Sequence, residues 1–91
     1  MMKKIIFVED DETIQDVISL MLQDEYTVTI YREGRSILSD NIDLPDLFLL
    51  DRQLSDMDGL DICRHLKTCD RTRHIPVVII TASHNIEEMA K

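Results

Sequence analysis

The chain has 91 residues, with 18 acidic and 10 basic side chains, and its formal net charge is −8. Hydrophobic residues make up 44% of it, which indicates one small globular domain rather than a disordered segment. No run approaches the roughly 20 apolar residues of a membrane helix, and the acidic balance argues against a surface that binds nucleic acid. The N-terminal apolar run resembles a signal peptide, but acidic residues end it after residue 8, so we expect a cytoplasmic protein.

Strand and helix signals alternate along the first half of the chain. Residues 5–8 form a short apolar run rich in β-branched side chains, which is typical of a strand buried on both faces. Residues 13–22 carry apolar side chains at helical spacing, and Asp11 or a neighbour can cap that helix. Its apolar stripe consists of Ile14, Val17, Ile18, Met21 and Leu22. Residues 26–31 alternate in polarity and predict a half-exposed edge strand.

The alternation continues through the second half. The pattern predicts buried strands at residues 47–51 and 76–81. It predicts a weak short helix at 34–40, a helix at 60–69 and the beginning of another at 85–91.

Repeated strand–helix units predict an α/β fold, with a doubly wound parallel sheet and helices on both faces. If the edge-like second strand flanks the first, the strand order is 2-1-3-4. Ligands of such sheets bind beyond the carboxyl ends of the strands, where the order reverses. Here that point lies between the first and third strands. We expect residues 1–91 to belong to a single domain.

Acidic residues follow both strands that flank this point. The first strand ends in Glu9, Asp10 and Asp11, and the third ends in Asp51. Crowded carboxylates repel one another unless they hold a cation or protons, and a set of oxygen ligands suits Mg²⁺. Acidic residues after strands also cap helices and shape turns, and Asp11 can serve that purpose alone. The sequence pattern leaves both interpretations open: a cation site, or carboxylates that only cap a helix and shape a turn.

The two cysteines suit a reduced compartment. Cys63 and Cys69 have five residues between them, with His65 nearby, whereas paired zinc ligands are usually separated by about two to four. We expect Cys63 to lie in the core beside Leu66 rather than on a metal ion.

Three motifs resemble those of the receiver domain of bacterial response regulators. They are IIFVEDD at 5–11, PDLFLLD at 45–51 followed by MDGL at 57–60, and IPVVIITA at 75–82. Their order and separations are similar to those of the family, and the resemblance covers Lys3 to Lys91. It implies a flavodoxin-like fold and a signalling module rather than an enzyme.

Carried onto this sequence, the resemblance makes Asp51 the phosphoacceptor. Glu9 and Asp10 match the acidic pair that holds Mg²⁺ directly or through water. The cation would also bind Asp51 and the backbone carbonyl of Gln53.

The remaining roles concern the phosphoryl group itself. The hydroxyl of Thr81 and the amide of Ala82 match the groups that bind it. Gln53 and Ser83 occupy positions that tune its lifetime.

The chain also departs from the family pattern. Ser55 stands where Pro is usual, which we expect to loosen the turn without touching the chemistry. Arg52 stands where an apolar or aromatic residue is more frequent. The family's fifth strand, with its Lys, the aromatic switch residue and the last helix are absent from these 91 residues, so we expect a C-terminally incomplete receiver. Lys91 cannot replace that Lys, because it falls in the predicted fourth helix.

The implied function is phosphorelay signalling, in which Asp51 accepts a phosphoryl group from a histidine kinase or phosphotransfer protein and switches an output partner. One alternative is a pseudo-receiver that binds partners without phosphorylation. The absent Lys favours it, and the intact acidic site opposes it. Another is a haloacid-dehalogenase-like phosphatase with a D-x-D-x-T motif, but Glu9 would replace its nucleophile.

The fourth strand is expected to lie at a sheet margin, because no fifth strand follows within these residues. An apolar edge of this kind is prone to pairing. We therefore consider three arrangements: an ordered core with a further C-terminal tail, a homodimer that pairs this edge or swaps elements, or a cleaved fragment. The first two are favoured about equally.

Overall fold

A parallel sheet with strand order β2-β1-β3-β4 forms the centre of the molecule. The computed structural model describes residues 2–39 and 41–81. The strands are β1 Lys3–Val8, β2 Tyr26–Tyr31, β3 Leu47–Asp51 and β4 Val77–Ile80. The helices are α1 Glu12–Leu22 and α2 Gly59–Thr68, with a 3₁₀ helix at Gly34–Leu38. The predicted strand order is confirmed.

The β1 strand is an inner strand whose last four residues, 5–8, form an uninterrupted apolar run. Ile5 pairs with Val28 on one side and with Leu47 on the other, and the same double pairing continues to Val8. Residues 5–8 are all buried, as the apolar run predicted. The same register brings the residues after Val8 and Leu50 to one edge of the sheet.

Helix α1 begins at the predicted cap. The Asp11 carboxylate accepts hydrogen bonds from the backbone N–H groups of Thr13 at 2.8 Å and Ile14 at 3.2 Å, which satisfies donors that the first turn leaves unpaired. The predicted apolar stripe is only partly covered, because Val17 and Met21 are 51% and 71% exposed.

A hydrophobic core fills the opposite face of the sheet. Most of its members come from β1, β3, the 3₁₀ helix and α2, and the most buried are Ile6, Val8, Ile37, Phe48, Leu50, Ile62 and Leu66. Cys63 is half-buried and packs against this cluster. The core therefore packs α2 and the 3₁₀ helix against the sheet.

Two predicted elements differ from those observed. The weak short helix predicted at 34–40 is a 3₁₀ helix that ends at Leu38. The β4 strand was predicted to be buried, but its residues are half-buried or exposed, and Val78 is 43% exposed. Among the described residues β4 pairs only with β3, so nothing described here covers its outer edge.

The predicted helix at 85–91 lies outside the described residues. Within residues 2–39 and 41–81, no helix has the length and apolarity to cross a bilayer.

Candidate functional site

Three carboxylates meet at the carboxyl edge of the sheet. Glu9 and Asp10 directly follow β1, and Asp51 is the last residue of β3. One carboxylate oxygen from each lies within 4.8 Å of the others. The parallel β1–β3 register, which pairs Val8 with Leu50, brings these strand ends side by side. The structure therefore brings together three of the four acidic residues that the sequence placed at the switch point, whereas Asp11 caps α1.

Glu9 has the most unfavourable environment of the three for a negative charge. It is fully buried, and burial raises the pKa of Glu9 to about 7, with further contributions from Asp51 and Asp10. Its Oε2 accepts a hydrogen bond from the Asp11 backbone N–H at 3.2 Å. Its Oε1 is buried and has no hydrogen-bond partner among the described residues. An unsatisfied buried carboxylate oxygen is costly, and a proton or a cation relieves that cost.

Backbone N–H groups orient the other two carboxylates. Asp10 is half-buried, and its Oδ2 accepts a hydrogen bond from Ser55 at 2.9 Å. Asp51 is fully buried, and its Oδ1 accepts one from Gln53 at 3.2 Å. Both donors belong to the loop between β3 and α2, so this loop forms one wall of the site.

The donor set fits a hard divalent cation. Carboxylate oxygens are the ligands that Mg²⁺ prefers, and it is commonly held by one or two carboxylates together with waters. The buried Oε1 of Glu9 lies among these groups without a donor. Glu9, Asp10 and Asp51 are the residues that would hold the ion.

Close packing of α2 against the end of β3 explains the Asp58-Gly59 motif. A Cβ on Gly59 would collide with the Asp51 carbonyl oxygen and lie 2.9 Å from the Arg52 Cα, so only glycine fits. The Gly59 N–H donates to the Arg52 carbonyl at 2.8 Å. The Asp58 carboxylate caps α2 by accepting from the Leu60 N–H at 2.9 Å.

Asp56 ties the same loop to the 3₁₀ helix. Its side chain is 6% exposed, and it accepts hydrogen bonds from the Gly34 and Arg35 N–H groups, both at 3.0 Å. Burial acts to raise the pKa of Asp56, but the hydrogen bonds from Arg35 and Gly34 outweigh it and hold the pKa below its ordinary value. The sequence analysis missed this contact and that of Ser55, because no local pattern indicates bonds between residues so far apart in the chain.

The other predicted site residues differ in how the structure places them. Thr81 follows β4 and is half-buried at the same edge of the sheet. Ala82 and Ser83 lie outside the described residues. Arg52 points its guanidinium towards Asp58, with Nε 3.8 Å from Oδ1.

The cysteine region lies on helix α2 and just beyond its end. The Cys69 Sγ lies 3.5 Å from the His65 Nε2. Both cysteines are free thiols.

Known proteins resemble this chain in sequence and in fold. The profile of the response regulator receiver domain matches residues 5–91. Response regulator PleD of Caulobacter vibrioides is 42% identical over 84 residues, which are 90% of this chain and 18% of that protein. The N-terminal domain of a response regulator receiver protein from Methanoculleus marisnigri JR1 superposes with a TM-score of 0.81 at 35% identity, covering 99% of this chain and 75% of that one.

A magnesium-bound structure is also similar. The receiver domain of sensor histidine kinase PA1611 from Pseudomonas aeruginosa PAO1, with a magnesium ion coordinated in its active-site cleft, has a TM-score of 0.81 and 30% identity. The match covers 90% of this chain and 69% of that one. The chain spans less than two fifths of the curated relatives it matches. With the profile matched over nearly its whole length and its sheet order shared, the chain belongs to the response regulator receiver domain family.

Proposed function

We propose that this chain is a phosphoacceptor module of a two-component system, and that Asp51 receives the phosphoryl group in the presence of Mg²⁺. The observation that carries the proposal is the convergence of Glu9, Asp10 and Asp51 at the switch point of the sheet. Family membership supports the signalling role, and the magnesium-bound relative supports the identity of the cation.

Asp51 is suited to act as the nucleophile. It ends a buried strand, and the Gln53 N–H at 3.2 Å holds its carboxylate in one orientation. In the proposed step an Asp51 oxygen attacks phosphorus in line, the P–N bond to a donor imidazole breaks, and that imidazole takes up a proton. The product is an acyl phosphate.

Charge repulsion is the main obstacle to this step, because the incoming phosphoryl group is negative and so is the pocket. When bound, Mg²⁺ would supply the positive charge that offsets this repulsion. Glu9 and Asp10 would hold the ion. The hydroxyl of Thr81 and the amide of Ala82 are proposed to donate to the phosphoryl oxygens. Gln53 and Ser83 are proposed to tune the lifetime of the acyl phosphate.

The partners follow from this chemistry. A histidine kinase or a phosphotransfer protein would donate the phosphoryl group, and an output partner would respond to it, within the cytoplasm. A phosphorylation-independent binding role is the competing proposal, and the intact acidic trio disfavours it. We further propose that β4 offers an edge for homodimerisation, because among the described residues it pairs only with β3 and its Val78 is 43% exposed.

Beryllofluoride, a phosphoryl mimic, tests the proposal without requiring a cognate kinase. NMR spectra recorded with Mg²⁺ and beryllofluoride should show shifts at residues 9–11 and 51–53. Asp51→Asn should lose the beryllofluoride shifts. Asp46→Asn is the matched control, because Asp46 lies at the other end of β3, where its carboxylate accepts from the Lys4 N–H at 2.7 Å. Equal beryllofluoride shifts in the Asp51 variant would contradict the assignment.

A further inference from the structure

We propose that the backbone N–H of Ser55 is a positioning group that strengthens cation binding through Asp10. The inference rests on the proposed function, because it concerns the same cation. The N–H donates to Asp10 Oδ2 at 2.9 Å, joining residues 45 positions apart in the chain. From the sequence, Ser55 was expected to leave the chemistry untouched. In the structure its backbone N–H donates to Asp10, a candidate cation ligand.

Each carboxylate of the trio accepts a backbone hydrogen bond. Glu9 accepts from Asp11 at 3.2 Å, and Asp51 accepts from Gln53 at 3.2 Å. Both of these bonds are local, with donor and acceptor two positions apart, and they form wherever the strand end makes its turn. The bond from Ser55 is the shortest of the three, and it alone among them connects the β1 end to the β3–α2 loop.

The loop that carries Ser55 is itself anchored on both sides. The next residue, Asp56, binds the N–H groups of Gly34 and Arg35 at 3.0 Å. On the other side, the Gly59 N–H donates to the carbonyl of Arg52 at 2.8 Å. The N–H of Ser55 is therefore presented to Asp10 by a loop with fixed ends.

A fixed donor affects cation affinity in two opposing ways. It withdraws some electron density from the carboxylate, which weakens the ligand. It also holds the carboxylate in one orientation, so less conformational entropy is lost when the ion binds. Hydrogen-bond partners of metal ligands typically contribute about 10- to 100-fold to affinity, so the orienting effect dominates. Because the Ser55 bond is solvent-exposed, we expect an effect near the lower end of that range.

Proline provides the test, because it has no backbone N–H to donate to Asp10. Ser55→Pro should raise the Mg²⁺ dissociation constant about tenfold. Ser55→Ala keeps the N–H and should leave the constant within about twofold of the wild type. The constants are measured by Mg²⁺ titration, following the NMR signals of residues 9–11 and 51–53. Unchanged signals of residues 47–50 verify that β3 is intact.

If Ser55→Pro does not fold, an ester in place of the Leu54–Ser55 peptide bond removes the same N–H without the ring and should give the same loss. A dissociation constant equal to that of the wild type in the N–H-deleted protein overturns the inference, as does an equal loss in Ser55→Ala. In either case wild-type binding of Mg²⁺ leaves the proposed function standing. A wild type without Mg²⁺-dependent shifts at millimolar concentration overturns both.

Discussion

Replacing Glu9 with glutamine should make the metal-free protein more stable at alkaline pH. The pKa of Glu9 is raised from 4.5 to about 7, mainly by burial. The unfolded chain therefore releases this proton at lower pH than the folded chain does. Stability consequently falls as the pH rises from about 4.5 to about 7 and is then level. Glutamine is neutral throughout, so the variant lacks this loss.

The size of the effect follows from the pKa. A rise in the pKa of Glu9 from 4.5 to about 7 means that the folded protein favours the protonated over the ionised carboxyl by roughly 3 kcal/mol more than the unfolded chain does. Because Asp51 and Asp10 contribute to it, we expect Glu9→Gln to gain about 2 to 3 kcal/mol over the wild type at pH 8. Near pH 5 the gain should be below about 1 kcal/mol, because the folded protein still keeps the proton there. Added Mg²⁺ should stabilise the wild type at pH 8 by replacing the proton, and it should stabilise the variant much less.

Urea unfolding followed by far-ultraviolet circular dichroism, at pH 5 and pH 8 with a chelator present, measures these differences. Glu12→Gln is the matched control, because the Glu12 side chain is 80% exposed and pairs only loosely with Arg32 at 3.3 Å. It should change stability by less than about 1 kcal/mol at either pH. A Glu9→Gln gain that is the same at both pH values, or a loss at pH 8, would refute the reasoning.

Three further predictions concern the scaffold around the site. Gly59→Ala should cost about 1 to 3 kcal/mol in urea unfolding, because its Cβ meets the Asp51 backbone, whereas Gly34→Ala should cost less, since its Cβ meets side chains rather than backbone. Asp56→Ala should cost roughly 1 to 2 kcal/mol at pH 6. Because the folded pKa of Asp56 is lowered, that difference should shrink as the pH falls below 3.8, and an undiminished difference would contradict the assignment. Val78→Lys should weaken any self-association through β4, which light scattering after size exclusion measures; unchanged association would exclude that edge.

The sheet and the acidic trio could be predicted from the sequence for a physical reason. A continuous apolar run such as residues 5–8 needs cover on both faces, which identifies an inner strand. Parallel strands end at a common edge, so acidic residues that follow two neighbouring strands must approach one another. The cap at Asp11 was predictable for a similar reason, since it depends only on local spacing.

The contacts that shape the loop could not be predicted in the same way. Ser55 reaches Asp10, and Asp56 reaches Gly34, through hydrogen bonds that depend on how the loop crosses the sheet edge. Neither bond follows a helical or strand period. The exposure of α1 could not be predicted either, because its apolar stripe indicates which side chains can be buried and not what covers them. Met21 is on that stripe and is 71% exposed.

The most direct test of the central claim is to locate the phosphoryl group after incubation with a small-molecule phosphodonor. Peptide mass spectrometry, after borohydride reduction of the acyl phosphate, should find a single modified carboxylate at Asp51. Modification should require Mg²⁺, persist in Asp46→Asn and vanish in Asp51→Asn. Modification at another carboxylate, or equal modification of the Asp51→Asn protein, would contradict the claim that this strand end is the phosphoacceptor.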